Sequence, residues 1–168
     1  MSLGVRAVHG DSLPQGESRI MTDKADAAWV KELIGRNRYL VLSTTDGSKP
    51  WVAPLEYMVD DDLNFYFFSP EGVRHVRDIE ANNAVAVVVF DAEQPEYTPD
   101  MTADLNGVQM EGTAVKLAEA DYTDVIVGAI EALEPPMPPY EVFKIIPRRF
   151  YVPRIESGVN VRYEVDMG

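Results

Sequence analysis

Cysteine is missing from all 168 residues of the chain. That removes disulfides, thiolate nucleophiles and zinc–thiolate centres from consideration. Histidine occurs only as His9 and His75, too few for a histidine-rich metal site. Positive charge is scarce: 15 Lys and Arg stand against 28 Asp and Glu, a formal net charge of −13. Nucleic-acid backbones and anionic membrane surfaces call for the opposite balance. No apolar run approaches the ~20 residues of a membrane span. The first twenty residues lack the apolar centre of a signal peptide, and their charges cancel, Arg6 and Arg19 against Asp11 and Glu17. Residues 1–20 therefore read as a disordered leader, and residues 21–168 as a single domain of a cytoplasmic protein.

What is present fits a soluble globule with a real core: 46% of the residues are apolar and 26% are charged. Thr22 or Asp23 can cap a helix running to about Asn37, with Ala28, Val30, Leu33 and Ile34 on its apolar face. The period then changes. Strands are expected at 39–45, 50–58 and 63–68, joined by Asp-Gly-Ser and Asp-Asp-Asp turns. In the third, Leu63, Phe65 and Phe67 alternate with Asn64, Tyr66 and Phe68. A helix is expected at 71–82, with Val73, Val76 and Ile79 facing the core and Arg74, Arg77 and Asp78 facing out. Residues 84–90 are almost wholly apolar, as in a central strand. The stretch 91–104 holds five acids, two prolines and no base, and reads as a solvated loop. A long strand at 107–117 carries a bend or bulge at Gly112. A helix at 119–133 is stopped by Glu-Pro-Pro-Met-Pro-Pro. Short strands at 142–146, 150–153 and 160–165 complete the chain. Tight turns between the first three strands rule against a doubly wound parallel fold. The order points to a mainly β architecture, a mostly antiparallel sheet closing into a small barrel with helices outside.

The segment 65–90 is the most informative. It reads as strand, sharp turn, short basic helix, strand. Ser69 stands where an N-cap belongs and Pro70 where the first helical residue belongs. A helix start with Arg74 and His75 one turn on is a way to hold a phosphate. The plainer alternative is that Ser69 only caps, and that Arg74 and Asp78 form an ordinary i,i+4 pair on a wet face.

The order of motifs adds to this. A turn reading Asp46-Gly47-Ser48-Lys49-Pro50 precedes a strand with Pro54-Leu55. Then come Phe65-Tyr66-Phe67-Phe68-Ser69, a basic helix followed by Asn82, an apolar strand, and Gly107-Val108-Gln109-Met110-Glu111-Gly112. Between about Thr22 and Val165 the chain resembles the pyridoxamine 5′-phosphate oxidase-like family, the FMN-binding split β-barrels. The resemblance implies a six-stranded antiparallel split β-barrel working as a homodimer, with FMN at the dimer interface and a small-molecule substrate. It places the FMN phosphate at Phe68, Ser69, Arg74 and His75. It lays the ring along 53–58, where the backbone of Ala53, Pro54 and Leu55 can meet the pyrimidine edge. It puts Gln109 near the cleft, from the second subunit; by itself Gln109 reads as a solvent-facing strand residue. His75 can serve as an imidazolium or neutral N–H donor to phosphate, or as a packed ring at the barrel end.

Departures from the authentic oxidases are also legible. Their basic residues on the second strand match Ala53 and Met58, and the lysine of their phosphate helix matches His75. Their C-terminal tryptophan and Arg-Leu-x-Pro ending have no counterpart, because this chain ends Arg-Tyr-Glu-Val-Asp-Met-Gly. Vitamin B6 oxidation is therefore not the expected activity. The expected activity is that of a flavin-dependent oxidoreductase of unknown substrate. The alternatives are a non-catalytic module holding flavin, a deazaflavin or haem, and a cofactor-free barrel. Trp29 and Trp51 read as packing residues, with Trp51 able to wall the cleft. No catalytic side chain stands out.

Overall fold

In the computed structural model the described residues are 19–21, 24–91, 106–132, 140–156 and 159–168. They form nine strands and three α-helices: β1 (Arg19–Met21), α1 (Lys24–Arg36), β2 (Tyr39–Thr45), β3 (Pro50–Glu56), β4 (Met58–Val59), β5 (Phe65–Pro70), α2 (Arg74–Ala81), β6 (Ala84–Phe90), β7 (Gly107–Lys116), α3 (Asp124–Ala132), β8 (Tyr140–Glu156) and β9 (Val159–Val165). The acidic stretch expected as a loop at 91–104 falls, beyond Asp91, outside the described residues.

β3 and β4 are one strand interrupted at Tyr57. Counted so, the ladders close a ring of six: β2 pairs with β3, β4 with β5, β5 with β8, β8 with β7, β7 with β6, and β6 with β2. All six ladders are antiparallel. The ring is held shut between β4 and β5 by only two residue pairs, Met58–Tyr66 and Val59–Phe65. Beyond that contact β3 and β5 part, and each leaves one edge without a ladder among the described residues. This is the mainly β split barrel that the motif order implies. Outside the ring, β9 extends β8, and β1 lies parallel to β9. Arg19 and Ile20, expected within the leader, are thus strand residues.

Two expected strands at 142–146 and 150–153 are one strand of 17 residues, β8. Its first part pairs with β5 and its last part with β9. Opposite the change of partner the β7–β8 register shifts between Glu111 and Gly112. A Cβ at Gly112 would stand 2.4 Å from the Ile146 carbonyl oxygen. Only glycine allows this approach, so the bulge read from the sequence is there for a steric reason. The helix expected at 119–133 begins instead as a separate 3₁₀ turn, Glu119–Asp121, before α3.

Alternation fills the barrel. Phe65 and Phe67 point inward from β5 and are fully buried, and the Phe67 ring stacks on Phe143 with centroids 5.2 Å apart. α1 plugs the barrel with Val30, Leu33 and Ile34, and its Ile34 carbonyl accepts from the Tyr57 hydroxyl at 2.6 Å. Each such side chain contributes about 1.5–3 kcal/mol on burial. The outward residues of β5, Tyr66 and Phe68, meet Ile126 of α3, Val142 and Met58 in a second cluster. The outer face of β3, β2 and β6 has no helix over it among the described residues, and Tyr39, Val52 and Phe90 lie exposed there. No helix among the described residues is long and apolar enough to cross a membrane.

Candidate functional site

The turn between β5 and α2 differs from its expected form. The helix expected at 71–82 is Arg74–Ala81, its N-cap residue is Val73, and no side chain caps it. Ser69 is not a cap and Pro70 is not helical. Both belong to β5, because the ladder to β8 continues through the pairs Ser69–Glu141 and Pro70–Tyr140. The chain turns at Gly72, whose φ of 73° suits glycine. Ser69 points into the barrel, and its Oγ lies 2.7 Å from His75 Nε2. The reach from strand to helix remains, but the serine acts through a side-chain bond and not through the helix terminus.

His75 is 9% exposed. Its ring tilts against Phe67, with centroids 6.2 Å apart. Burial holds its pKa below the ordinary 6.5, against a smaller opposing pull from Asp78. The imidazole is therefore neutral near pH 7, and its Nε2 is committed to Ser69. Of the roles open to His75 in the sequence, this geometry is that of the packed, singly bonded ring. A Ser–His pair this deeply buried is also no exposed nucleophile.

Asp78 was expected to face solvent. It is 4% exposed, and its Oδ2 accepts from the Thr44 hydroxyl at 3.0 Å. Arg74 sits one turn earlier with Nε 3.8 Å from the same oxygen. The guanidinium lies over the Trp51 ring, 4.7 Å from its centroid, and reaches the carbonyls of Lys49 and Pro50 at 3.3 and 3.4 Å. The turn supplying those carbonyls is fixed in its own right. The Asp46 carboxylate accepts from the Lys49 N–H at 2.9 Å, and from the N–H and hydroxyl of Ser48 at 2.8 Å each. These bonds, that of Lys49 first, lower the Asp46 pKa to about 2. Arg74 is thus a pre-positioned cation with one face on an indole, beside a second cation, Lys49, of the same hairpin.

The other expected site residues divide by strand face. Ala53 is buried on β3, Leu55 is half-buried and Pro54 is exposed. Pro54 has no N–H, so any backbone donor on this edge belongs to its neighbours. Phe68 points away from Ser69, as alternation requires, into the cluster under α3. Its backbone alone can join the Arg74 side. Gln109 is exposed on β7, and its row of outward side chains runs Pro54–Val41–Val88–Gln109 across β3, β2, β6 and β7. Gln109 therefore lies three strands from Pro54 within one chain. So Ser69, Arg74 and His75 gather at one mouth of the split, Ala53, Pro54 and Leu55 lie on its β3 edge, and Gln109 is apart. Sequence reading missed Thr44 as a partner. The alternation of Leu40, Leu42 and Thr44 along β2 was the available signal. No group of three or more His, Cys, Asp or Glu able to hold a metal occurs among the described residues.

A family model described as pyridoxamine 5′-phosphate oxidase matches residues 27–152. The chain belongs to that family. Solved structures agree on the fold. A pyridoxamine 5′-phosphate oxidase candidate from Listeria innocua matches with a TM-score of 0.57 at 16% identity, over 75% of this chain and 96% of its own. An FAD-binding protein from Mesorhizobium loti matches with a TM-score of 0.55 at 20% identity, over 76% of this chain and 91% of its own. HutZ, the heme storage protein of Vibrio cholerae, matches with a TM-score of 0.55 at 15% identity, over 79% of this chain and 95% of its own. No curated protein matches the sequence.

Proposed function

We propose that the chain is an FMN-binding flavoprotein, a homodimeric oxidoreductase of the pyridoxamine 5′-phosphate oxidase-like type acting on a small molecule. The observation that carries this reading is Arg74, laid on Trp51 and steered by buried Asp78 at the mouth of the split. A guanidinium held this way presents fixed donors to a phosphate without first ordering a flexible side chain. Lys49 adds charge to the same mouth. Ser69 and neutral His75 supply polar lining, not charge. The unladdered edge of β3 at Ala53 and Leu55 offers backbone groups to a planar ring. These residues fit FMN, with a weaker anion field than three free cations would give, because Asp78 offsets part of Arg74.

FMN, when bound, supplies the redox chemistry. The protein's own residues bind and orient. Arg74 and Lys49 hold the phosphate end, Ala53 and Leu55 locate the ring edge, and Trp51 walls the mouth. The exposed face of Tyr39, Val52 and Phe90 is where a second copy packs. That packing supplies Gln109 to the cleft from the other subunit. Haem fits less well, because His75 is the one histidine among the described residues and Ser69 already holds its Nε2. A deazaflavin would use the same platform.

The absorbance spectrum of the purified protein tests the reading. Flavin bands near ~375 and ~450 nm, native or after adding FMN, support it, and NADH or NADPH then separates enzyme from carrier. A haem band near ~400 nm, or a colourless protein indifferent to FMN, overturns it.

A further inference from the structure

A cavity of about 410 Å³ lies between α3 and the outer face of β4 and β5. Its existence follows from one line of side chains on α3. Ile126, Ala129 and Ala132 follow one another three residues apart, toward the sheet. Ile126 is fully buried and fills its share of the interface. Ala129 and Ala132 are too short to do so, and the space opens beneath them. The volume falls in the range of small-molecule sites, about 300–1,000 Å³.

The lining states what can enter. The sheet side is formed by Met58, Phe68, the ring of Tyr66 and Tyr57, whose own ring packs edge-on against Phe65 in the barrel core. Both of these phenols are already engaged, Tyr57 donating to the Ile34 carbonyl at 2.6 Å and Tyr66 to Asp60 Oδ2 at 2.8 Å. Tyr66 brings ring surface to the cavity, and neither phenol brings a free hydroxyl. At the rim, Arg38 Nε is bonded to Glu56 Oε1 at 2.5 Å, so its charge is answered within the chain. Tyr140 is the one lining phenol whose hydroxyl has no partner among the described residues. An anion here would face aromatic carbon and a carboxylate, with no uncommitted cation among the described lining residues.

We propose that this cavity binds a small, neutral, planar aromatic molecule that carries one hydrogen-bonding group toward Tyr140. Phosphorylated and sulfonated compounds are disfavoured by the same lining, against the pull of Lys144, whose Nζ lies 5.5 Å from the Tyr66 ring centroid. Its use as the substrate site of a flavin rests on the reading above, since Glu56 and Phe68 adjoin the β3 and β5 residues assigned to the cofactor. The binding itself does not rest on that reading.

The test is calorimetric titration of the full chain with 2-naphthol and with naphthalene-2-sulfonate, which share one ring system and differ in charge. FMN is titrated separately. The wild type is expected to bind 2-naphthol about tenfold or more tightly than the sulfonate. Ala129→Phe fills the cavity and is expected to lose 2-naphthol by about tenfold or more, while FMN affinity stays unchanged. Tyr140→Phe, which leaves the cavity open, is expected to weaken 2-naphthol by about three- to tenfold. Absence of 2-naphthol binding, equal binding of the sulfonate, or unchanged 2-naphthol affinity in a folded Ala129→Phe protein overturns the assignment. Should Ala129→Phe fail to fold, unchanged affinity in Tyr140→Phe overturns it instead. A chain that ignores FMN yet follows this pattern refutes the flavin reading and keeps the cavity.

Discussion

Arg74 and Asp78 stand one turn apart on α2, and the buried carboxylate of the second anchors the half-buried guanidinium of the first, with Nε 3.8 Å from Oδ2. Thr44 donates to the same oxygen from the neighbouring strand. The three residues tie the helix to β2 and aim the cation at the mouth of the split. The arrangement exchanges part of the cation's charge for a fixed direction, which is what recognition of a phosphate by a single arginine requires.

Asp78→Ala removes the acceptor of a buried hydroxyl and the anchor of Arg74 together. It is expected to lower stability by about 1–3 kcal/mol in urea unfolding. Thr44→Val, which removes the hydroxyl and keeps the shape, is expected to cost less. Equal stability of Asp78→Ala and wild type would show that the buried carboxylate is not engaged.

His75 gives the protein a pH dependence of known sign. Burial lowers its folded pKa below 6.5, so the unfolded chain takes up the proton first as pH falls. The contribution of His75 to stability is complete above 6.5 and is lost as pH drops through its folded pKa. Between pH 7 and 5 the wild type is expected to lose more stability than His75→Gln. Identical losses would place the imidazole in solvent.

Gly112→Ala places a methyl group 2.4 Å from a backbone carbonyl oxygen that cannot step aside without moving β8. A destabilisation of about 1–3 kcal/mol is expected, read as a lower melting temperature. An unchanged melting temperature would mean that the bulge relaxes freely.

The uncovered sheet face is expected to mediate dimerisation. Val52→Asp and Phe90→Asp put charge at two of its exposed apolar positions, which are 55% and 48% exposed in the single chain. Sedimentation velocity is expected to show a dimer for the wild type and a monomer for the double variant, with FMN uptake reduced in the monomer. A monomeric wild type that still binds FMN would remove the partner subunit from the site.

Much of this was readable from residues. Strands 39–45 and 84–90 fall where their runs of apolar and β-forming residues begin and end, because local pattern and tertiary pairing agree there. The bulge at Gly112 was readable because a lone glycine in a strand has few other causes. The turn after β5 departs from the pattern because Ser-Pro-Glu is a good local helix start, while the ladder to Glu141 and Tyr140, at least 70 residues on, wins over it. The burial of Asp78 was hidden for the same kind of reason. Its partner Thr44 lies 34 residues away, on a strand whose inward face only the fold places beside α2. Continuity of β8 was obscured by Pro147, which breaks a strand pattern in sequence but sits at the bulge in space. For Ser69, Arg74 and His75, residue types and spacing showed the neighbourhood, while the division of labour among them required the geometry.

The central claim is that Arg74 holds the phosphate of a flavin, and a paired titration tests it most directly. FMN and riboflavin, which differ by that phosphate, are titrated by flavin fluorescence into the full chain and into Arg74→Ala. The account predicts that the wild type binds FMN more tightly than riboflavin. It predicts that Arg74→Ala weakens FMN by about 1.5–3 kcal/mol and leaves riboflavin unchanged. Equal FMN affinity in the two proteins, or no flavin binding by either, would contradict it.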